Sequence, residues 1–384
     1  LDEKRTEQIN LGINDTLIND VSLDGSRILF DQAREESDLW QVGIETKSEK
    51  QVTSDPELEL WPDISSDGKS IVFQKATESK HLLEGLIVLR SIGDDQQINI
   101  ATNGFSPKFS PDGQEVAFLR DSENRIGLWV TGRNGGDERA LRTDGFSFNG
   151  YSLVPYNRVQ ANDYSWTPDG SGLIYCAKKD GLWNIWQVAA TGASEPNQVS
   201  KNNDEDVRFS NPIFSPDGKR ISYVSNYVTR TSDTKTTANA CLLSCEHPEI
   251  LFSSKSEFKL LGWDQTGNNL LIALPENRAT AKPFQIQLIL VSPENRSTDL
   301  ALIDAAYFYN VQLSPDRRWI AFVTHVEGND KIMIVSSADG EEATIANTAP
   351  NMYVSGLSWS PDSKTIYYGR QKQQRTISMI ENFK

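Results

Sequence analysis

The sequence is thin in the residues that catalysis, metal binding and membrane spans draw on. Histidine, cysteine and methionine each occur three times in 384 residues. His81, His247 and His325 are far apart in the chain, and no Gly-x-Ser-x-Gly nucleophile elbow accompanies them. A self-contained Ser/His/Asp site is therefore not expected, and neither a catalytic residue nor a cofactor is assigned. Three cysteines do not make a disulfide framework. Cys241 and Cys245 fall in an expected strand, where four residues span roughly 13 Å, beyond the ~7 Å that a disulfide bridges. They read as free thiols, or one of them pairs with Cys176. With His247 they alternate along one strand face and do not converge on an ion, so no metal site is expected. Positive charge is also short: 38 Lys and Arg face 53 Asp and Glu, for a net charge of −15. That balance opposes binding to phosphate backbones and anionic lipid and leaves basic or cationic partners open. No apolar run reaches the ~18–20 residues of a membrane-spanning helix. The chain opens at Leu1 with no signal-peptide pattern. The expectation is a processed or excised piece, with an anchor or effector domain upstream.

What the sequence does have is a repeated turn. Ser-Pro-Asp-Gly stands at Ser110–Gly113 and Ser215–Gly218. Near copies begin at Thr167, Ser314 and Ser360, and looser ones at Ser22, Ser65 and Asp264. The third positions fall at 24, 67, 112, 169, 217, 266, 316 and 362, a period of 43 to 57 residues. Asp24, Asp67, Asp112, Asp169, Asp217, Asp316 and Asp362 are read as structural. Pro presets φ at the second position, Asp suits the third and Gly takes the left-handed fourth. Each turn is preceded by a short apolar stretch and followed by a β-rich run such as Val116-Ala117-Phe118 or Ile320-Ala321-Phe322. A third strand (Leu128-Trp129-Val130, Ile185-Trp186-Gln187-Val188) and a short fourth (Gln51-Val52-Thr53, Gln198-Val199-Ser200) complete the unit.

Four antiparallel strands per forty-odd residues make a β-propeller blade. The expectation is one all-β domain over residues 1–384: an eight-bladed β-propeller of four-stranded antiparallel blades. The blades begin at about residues 12, 54, 101, 143, 201, 253, 303 and 347. The last unit lacks a fourth strand. Gln8-Ile9-Asn10 matches the fourth-strand pattern, so residues 1–11 are expected to supply the closing strand of blade 8 and so protect two open edges.

Units such as Ile213-Phe214-Ser215-Pro216-Asp217-Gly218-Lys219-Arg220-Ile221-Ser222-Tyr223 resemble the WD40-like PD40 repeats of TolB-type β-propellers, over nearly the whole chain. The resemblance implies a non-catalytic ligand- or protein-binding domain in the periplasm or another extracytoplasmic space. Three settings follow from it: the sensor domain of a membrane-anchored transcriptional regulator or signalling protein tethered to the inner membrane, a free TolB-like scaffold, or the substrate-gating propeller of a prolyl-oligopeptidase or dipeptidyl-peptidase-like enzyme. An eight-blade count is closer to the last.

Topology puts the outer-to-inner connections and the loops between second and third strands on the face opposite the turns. Two irregularities belong there, an insertion at 143–163 and a Thr/Ser/Lys-rich loop at 226–239. Loops on rigid repeats carry binding, so that face is expected to meet a protein, peptide or small ligand. The insertion offers Phe146, Phe148, Tyr151, Tyr156 and Arg158, types enriched at binding hot spots. Trp61, Tyr309 and Tyr353 join them, from a set of aromatics that recurs where inner strands begin, although packing between blades is the favoured reading of that set. Acidic residues at the same connections (Glu57, Glu59, Asp204, Asp304) read as a solvated rim.

Overall fold

The computed structural model describes residues 15–381, apart from residues 25, 56, 77–84, 95, 123–124, 142–163, 228–234, 246, 277–283, 307–309 and 351. It is all-β, with no α-helix among the described residues. The turn chemistry explains why the strands recur. In the ring turns that open on Ser or Thr, its hydroxyl donates to the Asp Oδ1 at 2.6 Å, as Ser110 does to Asp112 and Thr167 to Asp169. The same Oδ1 accepts the N–H two residues on, and the hydroxyl accepts the N–H five residues on. These bonds hold the Asp112 and Asp169 carboxyls below the usual range, Asp169 at about 2. Gly113, Gly170 and Gly218 take the left-handed position at φ 70–73°; Arg317 and Ser363 hold it without being glycine.

Eight residues past each turn's first residue, the second strand places a large apolar side chain: Phe73, Phe118, Tyr175, Tyr223, Ile272, Phe322 and Tyr368, all buried. Each stabilises the packing between sheets by about 2–3 kcal/mol.

The described strands group into seven four-stranded antiparallel blades. Blade A is Leu58–Ile64, Ser70–Ala76, Gly85–Ser91 and the first part of Gln97–Phe109; the second part of that strand is the inner strand of blade B, followed by Glu115–Ser122, Arg125–Gly132 and Arg139–Ala140. Blades C to F start with the inner strands Tyr164–Trp166, Val207–Phe214, Lys259–Trp263 and Gln312–Leu313, each heading its own four-stranded sheet. Blade G is composite. Met352–Trp359 pairs with residues 365–372, those pair with residues 37–43, and Glu49–Gln51 forms the outer edge.

This corrects two expectations. Among the described residues the count is seven, because repeat 1 has no place of its own in the ring: its third and fourth strands complete blade G, whose inner two strands come from repeat 8. The outer position of that blade, expected for residues 1–11, is filled by Glu49–Gln51; residues 1–11 themselves lie outside the described residues. The sequence signal was local, whereas blade membership depends on which distant strand supplies the partner. Around the turns, a Cβ on Gly170 would lie 3.6 Å from Pro111, and Asp316 N donates to Ser363 Oγ. The ring closes where the Gly356 segment of blade G meets Trp61 and Pro62 of blade A.

Outside the ring stands a three-stranded arm of Asp15–Val21, residues 27–36 and residues 373–381. The strands Arg27–Gly43 and Thr365–Glu381 each run from the arm into blade G. The Ser22–Asp24 turn caps the arm and keeps the repeat's bonds, Ser22 Oγ to Asp24 at 2.6 Å among them.

The disulfide is a further correction. Cys241 and Cys245 are bonded, with Cα atoms 4.9 Å apart, and Cys176 is buried outside that disulfide. The extended-strand assumption failed because the strand stops at Leu242. Cys245 N then donates to Leu242 O, and Cys245 sits at φ 42°. The turn folds the chain back and cuts the span to 4.9 Å. In the same blade the third strand starts at Thr236, so the end of the expected 226–239 loop is strand.

Candidate binding site in the central channel

Inner strands line a propeller's channel, and those of blades A, B, D and G are each bent at one place. The register slips between Leu60 and Asp63, Phe105 and Lys108, Ser210 and Ile213, and Ser355 and Leu357. At the slip, Trp61, Ser106, Asn211 and Gly356 take φ of 53–60°. Pro62, Pro107 and Pro212 follow three of these. Proline inside a strand is confined to edges and bulges, since it has no N–H for the ladder. Asp63, Lys108, Ser165, Ile213, Gln312 and Ser358 stand two positions before the turn in six blades and are all partly exposed.

Side chains at this level tie each blade to the next. Asp63 of blade A accepts Phe109 N of blade B at 2.7 Å, and Lys108 Nζ of blade B donates to Tyr164 O of blade C at 3.0 Å. Ser165 Oγ donates to Pro212 O, Asn211 Nδ2 to Leu260 O, and Lys259 Nζ to Val311 O at 2.8 Å. Trp359 Nε1 reaches back to Gln312 O. The last junction, G to A, is made by Ser37 Oγ on Glu59 O and by the Glu59 carboxylate, which accepts Leu39 N and the Thr53 hydroxyl. Seven junctions thus close the circle.

Burial pushes the Lys259 ammonium down to about 7, and the charge of Lys108 adds to the shift. Burial raises the Asp63 carboxyl to about 6 against the opposing effects of Phe109 N–H and Lys108. On the face opposite the turns, His325 Nδ1 meets Asp330 at 2.7 Å; Asp330 is fully buried and also accepts Val354 N of the next blade. His325 is about one-third exposed.

The expected site residues divide. Phe146, Phe148, Tyr151, Tyr156, Arg158 and Tyr309 lie outside the described residues. Trp61 is only 4 % exposed and packs against Phe105, ring centroids 6.2 Å apart, as the packing reading had it. Tyr353 is partly exposed beside Val354. The channel positions Asp63, Lys108 and Lys259 were not singled out from the sequence. Their signal was present: a charged residue in an inner strand, two or five positions before a turn, next to an in-strand proline in two cases.

No protein-family model matches the sequence, and no curated protein matches it significantly. Solved structures do. An oligogalacturonate lyase from Vibrio parahaemolyticus is similar at a TM-score of 0.60, with 10% identity, over 93% of this chain and 98% of that one. The β-propeller domain of the Trilobed protease from Pyrococcus furiosus is similar at 0.55, with 16% identity, over 85% of this chain and 98% of that one. The chain is a β-propeller. A TolB from Agrobacterium tumefaciens aligns over 88% of this chain and 98% of that one, with 17% identity and a TM-score of 0.49. At these identities the likeness concerns the propeller fold; chemistry has to be argued from the residues.

Proposed function

We propose that this propeller is a non-catalytic binding module, the extracytoplasmic sensor domain of a membrane-anchored transcriptional regulator or signalling protein. The observation that carries the binding reading is the channel wall. Six blades each present a partly exposed side chain two residues before the turn, beside a bulge in four of them, on a scaffold tied at every junction. Rigid elements that hold varied side chains in place are what a binding site requires, and the polar and charged members are suited to a small ligand or the tip of a partner chain. The Cys241–Cys245 disulfide supports an oxidising compartment. The TolB-type repeat supports the sensor or scaffold setting. The likeness to a protease's propeller domain favours a second reading, substrate gating.

Cell fractionation with an antibody to this 42.9 kDa chain separates the readings. A clearly larger band in the membrane fraction is expected. A band of this size in the soluble periplasm replaces the sensor with a free scaffold, and a larger soluble band that co-purifies with peptidase activity replaces it with the gating role.

A further inference from the structure

We propose that two copies of this chain associate through the open edge of the arm, residues 375–381 of each pairing antiparallel about a two-fold axis at Ser378. This association is independent of what the channel binds.

The arm has two outer edges, and they are built differently. On Asp15–Val21 the register shifts between Ile18 and Asp20, and Asp20 is exposed. A bulge and a charge are devices that blunt a sheet edge. Residues 373–381 have neither at their centre. Their pairing with residues 27–35 runs without a shift, and Thr376-Ile377-Ser378-Met379-Ile380 holds no charge, proline or glycine. On their other side the pairing with Met352–Trp359 stops at Lys372, and among the described residues no strand continues it. A straight, apolar edge of that kind is a template for another chain. With one such edge per copy, pairing closes at two copies instead of running on into a fibre.

The edge is also complementary to itself. An antiparallel register centred on Ser378 sets Ile377 across from the partner's Met379 and Arg375 across from the partner's Glu381, each twice. Cross-strand apolar and opposite-charge pairs of this kind stabilise a sheet. Moving the axis by one residue in either direction sets Arg375 against Met379, or Glu381 against Ile377, so one register is favoured. Positions 375, 377, 379 and 381 share a face of the sheet, and Leu29 on the next strand stands beside Met379. Ile377, Met379 and Leu29 are all exposed, Ile377 by 72 %, and a second copy covers them. Glu381 lies 3.7 Å from Arg27 of its own chain with both well exposed, which leaves room for a second cation. The rings do not collide: each starts at Lys372, six residues from the axis, so they stand roughly 40 Å apart along the joint sheet. The patch is small beside the ~20–30 residues a side of a standard interface, and the net charge of −15 on each copy opposes contact. The dimer is therefore weak, forming in the high-micromolar range.

Sedimentation equilibrium of the intact chain, from low micromolar to millimolar concentration at physiological salt, tests this. The mass is expected to rise from 42.9 kDa towards twice that value. Ile377→Lys, a change at an exposed position that the fold tolerates, should hold the mass at one copy. The charged pairs test the register. Arg375→Glu alone and Glu381→Arg alone should each associate more weakly. An equal mixture of the two should recover association, because it sets Glu across from Arg at both ends. A constant mass, an undiminished rise in Ile377→Lys, or a mixture that associates no better than its components overturns the proposal. A mass that climbs past two copies replaces the closed dimer with open pairing and overturns it too. So does a rise seen only after residues 1–11 are removed, which would assign the edge to the chain's own N-terminal segment. Each of these failures leaves the fractionation result, and so the sensor reading, untouched.

Discussion

The turn at Ser22–Asp24 and the turn at Ser110–Asp112 are locally alike. Each Ser hydroxyl meets its Asp at 2.6 Å, and each Asp accepts the N–H two residues on at 3.0–3.1 Å. Their surroundings are opposite. Gly113 of the ring turn sits against Ser65 and Ser66 of the neighbouring blade. The outer turn carries Leu23 fully in solvent, and the arm behind it exposes Ile377 and Met379. The difference teaches that the Ser-Pro-Asp-Gly signal specifies a hairpin and nothing larger. Whether the hairpin becomes a blade is decided by what its second strand pairs with. For repeat 1 that partner is the C-terminal strand, which pairs with it along its whole length from Arg27–Glu381 to Gly43–Thr365.

The comparison breaks most visibly through packing. Trp263→Ala, at a fully buried ring position, is expected to lower stability by about 3–5 kcal/mol in chemical denaturation. Ile377→Ala, on the arm, is expected to leave the midpoint in place. Similar losses at both sites would mean that arm and ring unfold as one body.

The seam between blades G and A sharpens it next. Burial pushes the Glu59 carboxyl up to about 8, against the opposing bond from Thr53. A carboxyl raised in the folded state holds its proton there and releases it when unfolded. Stability from this group is full below its unfolded value near 4.5 and is lost as pH rises to about 8. Between pH 5 and 8 the loss is on the order of 3 kcal/mol. Glu59→Gln should match the unaltered chain at pH 5 and exceed it at pH 8. Parallel pH profiles for the two proteins would remove Glu59 as the cause.

A smaller contrast lies in the turns themselves. Asp112→Ala should cost about 1 kcal/mol, whereas Asp24→Ala should leave the main melting transition unmoved. The smallest concerns Arg317, at φ 62° in the glycine position of its turn. Arg317→Gly should stabilise by less than about 1 kcal/mol, seen as a slight rise in melting temperature.

Much of this was legible in the sequence. The turns, the all-β class and the order of strands within each unit follow from Ser, Pro, Asp and Gly acting on their own backbone, so they are readable at short range. The blade count was not, because residues 37–43 carry the same strand pattern whether they join residues 15–21 in a blade of their own or residues 365–371 in a shared one. The Cys241–Cys245 bond was missed for a related reason: one left-handed residue, Cys245, ends the extended geometry on which the distance estimate stood. The channel positions were obscured by the apolar pattern around them. Pro62, Pro107 and Pro212 marked the bulges, but only the strand register shows where each pairing shifts.

Hydrogen exchange along the single strand Arg27–Gly43 tests the central claim most directly. The account predicts that amides at 37–43, inside blade G, are protected to the level of global unfolding, while those at 27–35, in the arm, open by local fluctuations and exchange orders of magnitude faster. Equal protection along the strand, or stronger protection at 27–35, would contradict it and restore repeat 1 to a blade of its own.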